Sequence, residues 1–586
     1  MNKKDLILNI LLFISQIIVF YYFFCYLFPF KEQLQMFQFT SQYLTETLKQ
    51  AGGVAIYISE FLSQFYVVFW TGPIISALLL TLVALLSSLI LKKINSRNDL
   101  PLIFLLPWLS LLIISLDYDY YEQGTIAYLF LLLFLWLYTN IITRIKFFYG
   151  ICIIPILYGI AGPIVHLFAI SALFFEFLTN GKKKYISIIY LLIAALSAIA
   201  GTYLGYSRNL TLAFLPEAYC NPLQTVSGIY YAWYALPMTM LLVAYLKRYK
   251  EPVSLKGKCI WEGAQWAIMF LLVYQGIFHF GKLDAQHSMK QDYLLRTEQW
   301  DLVISEFNHD VLSKRRMCGL NLALAHKGQL SERLLDYPQH GIETLMLHWD
   351  QSIYTAQLHS DLYYCMGIIS AAQKFAFEAF VSSRSSGNPR MLKRLIETNL
   401  ITGSYPIADK YIQLLEKTWY YKDWATAHRR FLYNDKAVEE DKILGMKRRC
   451  WKAEASAAKL YTDPVSSLIN LLPACPDNKA GLAYLTSFLL LNKDIETYKT
   501  LQESLYRSPA WRDMTECQQE AIVICSPNDP HFWLEHGVSI KVRNRAIAFM
   551  QKVQDISRSG QNPAVALASE YGKTYWYYYM FNMMDK

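Results

Sequence analysis

The sequence predicts an all-α protein in two parts: a polytopic bundle of about nine transmembrane helices over residues 1–281, then a water-soluble domain of helical repeats over 282–586. Three observations predict it. Up to Gly281 the chain is a succession of apolar runs with charges confined to short gaps. From Lys282 onward Lys, Arg, Asp and Glu recur every few residues, and periodic helical segments dominate without a run of alternating β-branched residues. At 586 residues the chain is also too long for one compact core.

The net charge of +9 raises the question of a nucleic-acid partner. The excess sits mostly in short gaps between apolar runs, where Lys and Arg set membrane orientation, and the second half has no basic stripe interleaved with aromatics. Nucleic acid is therefore excluded as a partner; the lipid bilayer is the first one implied.

Taken in order, the N-terminus reads Met-Asn-Lys-Lys and enters the run Leu6–Phe28. That run is too long for a cleaved signal peptide and carries bulky aromatics where a small-residue cleavage site would lie, so it reads as a signal anchor. Further spans are expected at Val67–Leu91, Leu100–Leu116, Thr125–Thr143, Tyr185–Gly205, Tyr230–Leu246 and Ile260–Phe280, each near the roughly 17–25 residues a crossing needs. Gly201 and Gly205 form a GxxxG that would let helices approach closely. The stretch Phe147–Leu178 would be about 48 Å long as one helix, so Gly159, Gly162 and Pro163 at its middle predict two short helices that reverse there.

With that hairpin there are nine crossings. The segments then assigned to the cytoplasm (Lys3/Lys4, Lys92/Lys93/Arg97, Arg144/Lys146, Lys182–Lys184 and Lys247–Lys258) carry fifteen basic residues, against Lys31, Lys49 and Arg208 on the opposite side. The expectation is a bacterial inner-membrane protein with a cytoplasmic N-terminus and a periplasmic C-terminal domain. In the first external segment, Pro29–Tyr66, the residues Ile58, Phe61, Leu62 and Phe65 share one helical face, as in a helix lying at the membrane interface or packing on other spans.

In the second half, turns are expected near Glu298–Gln299, Gly328, Gly367, Gly403 and Asn492, the first four spaced 30 to 39 residues apart. The segments Leu362–Phe380 and Leu395–Leu415, with Ala371 or Ala408 where two helices press together, resemble tetratricopeptide units. The consensus Trp and Pro are mostly missing, so a degenerate α-solenoid is the expectation. The whole chain also resembles an uncharacterised family of polytopic membrane proteins from Bacteroidota. The likeness is carried by Ser59–Phe65 (SEFLSQF), by Leu106–Gly124 (LPWLSLLIISLDYDYYEQG) and by Thr574–Phe581 (TYWYYYMF), and it implies no activity.

Chemistry is sparse. Ten cysteines include no CxxC pair and no metal-ligand spacing, and free thiols are expected. There is no HExxH, no phosphate-binding GxxxxGK[ST] loop and no GxSxG elbow, so neither metal nor cofactor is implied. Acidic residues fall in the external loops: Glu60 in the first, and Asp117, Asp119 and Glu122 after the third span. Membrane glycosyltransferases using lipid-phosphate sugar donors are similar in outline, with acidic residues in the first two external loops. That resemblance implies a carboxylate acting as base or holding a metal. The plainer account is that loops are polar and that external loops lack Lys and Arg. Glu176, Glu262 and His166 suggest an ion path, but the two glutamates lie near span ends where water reaches them. Trp419, Tyr420, Tyr421 and Trp424, with the aromatic tail, are candidate contacts for a protein partner; packing between repeats explains them as well. The reading is a membrane scaffold presenting a helical-repeat domain to a protein partner, and its rival is a membrane-embedded transferase.

Overall fold

The computed structural model describes residues 3–97, 100, 102–179, 188–221, 226, 228–249, 254–307, 313–383, 387–455, 463–527 and 529–582. The lysines at 182–184 and the expected start of a span at Tyr185 lie outside these residues, as do the side chains of Lys3, Lys4 and Arg144. Among the described residues the chain is helical without a strand, and one isolated antiparallel bridge pairs Tyr120 with Cys220. It divides into two compact units, one of Met1–Met289 with Lys417–Tyr420 and one of Lys290–Glu416 with Tyr421–Lys586.

The first unit opens with α1 (Lys3–Phe23) and three short helices, α2 (Leu27–Glu32), α3 (Ser41–Leu48) and α4 (Gly53–Ser63). The long α5 (Thr71–Ile94) and the shorter α6 (Leu106–Ser115) lead through a polar loop into α7 (Glu122–Asn140). There follow α8 (Thr143–Ala161), α9 (Val165–Thr179), α10 (Ile188–Tyr203), α11 (Leu210–Phe214), α12 (Gly228–Leu246) and α13 (Leu255–Phe280), and α14 (Leu283–Arg296) leads into the second unit.

Among the described residues, five helical runs are long and apolar enough to cross a membrane, or six if the bent pair Lys256–Phe280 and Leu283–Arg296 counts as one. Length and apolarity alone thus fall short of nine spans. Two of the expected spans are shorter apolar helices, Ile103–Ser115 and Ile188–Tyr203. At the first, Pro107 sits at the start of α6, where its missing amide costs no helical hydrogen bond.

The run Ile145–Thr179 reverses on itself, as expected. Lys146 Nζ lies 3.0 Å from Glu176 Oε1, although the two are thirty residues apart; a straight helix would separate them by about 45 Å. The reversal sits at Gly162, whose φ of +81° takes the backbone out of the helix. Tyr219 closes it: its hydroxyl donates to the Ala161 carbonyl at 2.6 Å and accepts from the Ile164 amide at 3.0 Å.

The expected apolar face of α4 is present and only partly covered. Ile56, Ser59, Glu60 and Ser63 face inward and are buried, while Ile58, Phe61 and Leu62 are partly exposed. On α1, Leu6, Ile7, Ile10, Leu11, Ile14 and Ile18 are all exposed, whereas Gln16 is buried and joined to Thr81 and Trp108. Apolar groups outside and polar groups inside is the order that lipid as solvent imposes.

In the second unit the expected turns are helix ends of one type. Glu298, Gly328, Gly367, Gly403 and Lys493 all have left-handed backbones. At each, the next residue's amide reaches back to the carbonyl five positions earlier, as in Ile368 to Tyr363 (3.0 Å) and Ser404 to Asn399 (2.9 Å). This is the Schellman motif, which satisfies the last carbonyls of one helix and starts the next. It separates α14 from α15 (Trp300–Ser305), α16 (Lys314–His326) from α17 (Leu330–Arg333), α18 (Ile353–Met366) from α19 (Ile369–Ser382), and α20 (Pro389–Thr402) from α21 (Tyr405–Leu415). Ala408 lies fully buried where α21 faces its neighbour.

The chain continues through α22 (Lys422–His428), α23 (Asp435–Glu440), α24 (Lys442–Ala455), α25 (Pro464–Leu471), α26 (Lys479–Leu491) and α27 (Ile495–Leu505), the last two meeting at Lys493. The aromatic tail Thr574–Phe581 is packed inside this unit. Tyr575 and Tyr578 hydroxyls donate to the Leu490 and Leu491 carbonyls at 2.9 and 3.0 Å, closing the end of α26.

Candidate functional site

Of the charged residues singled out from the sequence, the structure gathers three in the interior of the first unit. The loop between α6 and α7, Asp117–Tyr121, is tied to the segment Tyr219–Asn221: the Tyr121 amide donates to the Tyr219 carbonyl at 3.0 Å and the Asn221 amide to the Asp119 carbonyl at 2.9 Å. This pairing draws the loop under cover. Asp117, Asp119 and Glu122 are 5%, 0% and 4% exposed, which corrects the expectation of carboxylates lying in water because loops are polar.

Carboxylates out of water need cations or several donors. Lys282 supplies one, its Nζ 2.9 Å from Asp117 Oδ1 and 3.1 Å from Asp119 Oδ2. It also stands 4.3 Å from the centroid of the Tyr118 ring. The other Asp119 oxygen accepts from the Asn221 amide group at 3.0 Å, and Asp117 Oδ1 accepts the Asp119 backbone amide at 2.9 Å. Glu122 is the first residue of α7, where the helix dipole favours an anion. Lys31, on α2, is the second cation; it is buried and donates to the Ser115 carbonyl at 2.9 Å.

The two lysines differ electrostatically. Burial lowers Lys31 from its ordinary value against the pull of Glu122, Asp117 and Asp119. At Lys282 burial is outweighed by the hydrogen bond and charge of Asp117, so its affinity for the proton rises. Burial also pushes the neighbouring Cys220 thiol up to about 12. Lys282 has a φ of +42°, a strained backbone for a residue with a side chain. Gly124 is required as well, since a Cβ there would lie 2.5 Å from the Tyr120 hydroxyl.

Glu60 is also buried, on α4, which packs against α7 and α8. The sequence reading missed Lys31, Glu32 and Lys282. Glu32 is buried beside Lys31, and charges just after a first apolar run were a signal that could have found both. Lys282 opens the charge-rich half of the sequence, where nothing local sets it apart from the lysines that follow. Among the described residues no group of three or more His, Cys, Asp or Glu side chains is placed to hold a metal. Lys282 already supplies the cation between the two aspartates, so this carboxylate pair does not fit a metal ion as well.

The remaining candidates have structural partners or exposure. Glu176 is ion-paired with Lys146, and both are buried. His166 stacks on Phe214 with ring centroids 4.8 Å apart, and Glu262 is exposed. Trp419 is exposed, and Trp419 and Tyr420 group with the first unit. Tyr421 and Trp424 belong to the second, each ring centroid 4.9 Å from Lys393 Nζ, and Trp424 stacks on His428 at 3.7 Å. The second unit also holds a cleft of about 1140 Å³, lined among others by Lys314, Asp336, His340, Arg545, Lys573 and Phe581.

No curated protein and no solved structure is significantly similar to the chain. Residues 2–582 match the family of unknown function DUF6057, and over that nearly complete span the chain belongs to it.

Proposed function

We propose that the buried charges of the first unit form the working centre of a membrane-embedded transferase acting on a lipid-phosphate-linked sugar donor, as the resemblance in outline to such glycosyltransferases implies. One observation carries the reading. Lys31, Asp117, Asp119 and Glu122 are buried, and the half-buried Lys282 is ion-paired to both aspartates, so three separate parts of the chain bring these charges together in a unit whose helices turn apolar side chains outward. Ionisable groups at such a place are costly, and apolar residues of similar volume would serve stability as well or better, so their presence points to use. The ammonium groups of Lys31 and Lys282 suit the charge of a phosphate leaving group. A phosphate that draws Lys282 away from Asp119 would free a carboxylate to take the proton of an acceptor hydroxyl.

The test is transfer from polyprenyl-phosphate sugars by the purified chain. Asp119→Asn and Lys282→Gln should each lower the rate by about 10²-fold or more while the protein accumulates normally. Full activity in both variants would remove the reading.

A second reading is favoured by the cleft of the second unit. An α-solenoid of tetratricopeptide type presents such a concave surface to a protein segment, and the mixed charges of Lys314, Asp336, Arg545 and Lys573 suit a polar peptide. On this reading the chain is an inner-membrane scaffold with its repeats in the periplasm. The hairpin at Gly162 and the basic gaps favour nine crossings and that side. A C-terminal alkaline phosphatase fusion should then be active and a C-terminal GFP fusion dark; the reverse would move the second unit into the cytoplasm.

A further inference from the structure

Helix α24 works as a clamp over the turn that joins α18 to α19. Lys447 Nζ donates to the Cys365 carbonyl at 2.9 Å, at the unsatisfied end of α18. About two turns further on, a Glu454 carboxylate oxygen accepts the Ile369 and Ser370 amides at 3.0 and 3.2 Å, at the start of α19. A second segment reaches the same turn from the far side of α25: the Asn478 amide donates to the Met366 carbonyl at 2.7 Å. Gly367, between the two helices, is so closely covered that a Cβ would lie 2.9 Å from Asn478 Nδ2 and 3.2 Å from Cys450 Sγ.

The two covering segments meet at a pair of cysteines. Cys450 on α24 and Cys475 after α25 are both buried, with their sulfurs 2.6 Å apart, and the adjacent Arg449 and Asp477 are ion-paired. We propose that Cys450 and Cys475 are a redox pair whose disulfide locks the clamp on the α18–α19 turn. The oxidant is a small disulfide such as oxidised glutathione. The Cys450 thiolate attacks one of its sulfurs and releases the first thiolate, forming a mixed disulfide. The Cys475 thiolate then attacks Cys450 Sγ and releases the second. Two protons leave the cysteines, and their two electrons reduce the oxidant to two thiols. The hydrogen bond from Cys475 and the nearby Lys447 ammonium hold the Cys450 thiol below its ordinary value against burial, which suits it as the attacking sulfur.

The test uses the full chain in detergent, exposed to oxidised glutathione for a time in which iodoacetamide labels Cys450 of the reduced chain. The protein is then denatured, alkylated and digested. The expected product is one peptide pair joined through Cys450 and Cys475, with a thermal midpoint of the second unit raised by about 5 °C over the reduced form. Cys475→Ala should abolish both while leaving the reduced form's circular dichroism unchanged. Separate alkylation of both cysteines, a link from Cys450 to Cys365 instead, or a Cys450–Cys475 link without a rise in midpoint would each overturn the proposal.

Discussion

The two units solve the same problem with opposite signs. In the first, exposed Leu and Ile side chains cover helices such as α1, and charge is drawn inward onto Lys31, Lys146 and the aspartates that the half-buried Lys282 pairs. In the second, apolar side chains such as Leu362, Leu392 and Ile396 are buried, and many ion pairs lie at the surface, as between Lys552 and Glu570. The difference teaches where a charged group carries weight. A pair in water is screened and can be lost, whereas a pair out of water leaves an uncompensated charge when one partner goes.

The sharpest way to break that comparison is at the hairpin. Glu176→Ala would leave Lys146 buried without its partner and should cost the first unit about 3–5 kcal/mol in detergent unfolding. Replacing both with apolar residues, Lys146→Met with Glu176→Leu, should recover most of it. A single-variant loss that the double variant does not recover would assign the cost to packing instead.

A smaller effect sharpens the second unit's side. Glu520 is buried and accepts the Tyr575 amide at 2.6 Å, and burial raises its carboxyl from the ordinary 4.5 to about 7. The folded chain therefore binds this proton more tightly than the unfolded one. Stability from this group is greatest below about pH 4.5 and falls as the pH rises through about 7, by on the order of 2–3 kcal/mol. Glu520→Gln, which keeps an acceptor for Tyr575, should flatten that part of the stability profile. An unchanged slope would assign it to other groups.

Backbone effects come next. Gly367→Ala meets both the left-handed backbone and the atoms of Asn478 and Cys450, and should cost about 2–3 kcal/mol. Gly328→Ala meets only the backbone, with no atom within 4 Å, and should cost about 1 kcal/mol. Equal losses would mean that the clamp over Gly367 gives way freely. Smallest of all, Glu570→Ala at the surface pair should leave the thermal midpoint unmoved.

The same contrast explains what could be read in advance. The second unit's turns were legible because a left-handed backbone selects Gly, and Gly328, Gly367 and Gly403 mark helix ends wherever they fall after an apolar run. The hairpin was legible for the same reason at Gly162. The direction of α4 was not, because Ile58, Phe61 and Leu62 make an apolar face whether it meets protein or lipid, and only the buried Ser59, Glu60 and Ser63 decide. The charged centre was half legible. Asp117, Asp119 and Glu122 stand together in the chain, but the cations come from positions 31 and 282, and no local pattern joins residues so far apart.

The central claim is that these charges serve chemistry and not the fold. It is tested most directly by removing them as a set, with Asp117→Leu, Asp119→Leu and Lys282→Met in one chain, and measuring both the unfolding midpoint in detergent and rescue of a null strain at matched protein level. The account predicts a midpoint equal to or above that of the natural chain, together with loss of rescue. A stable variant that restores the null strain fully would contradict it.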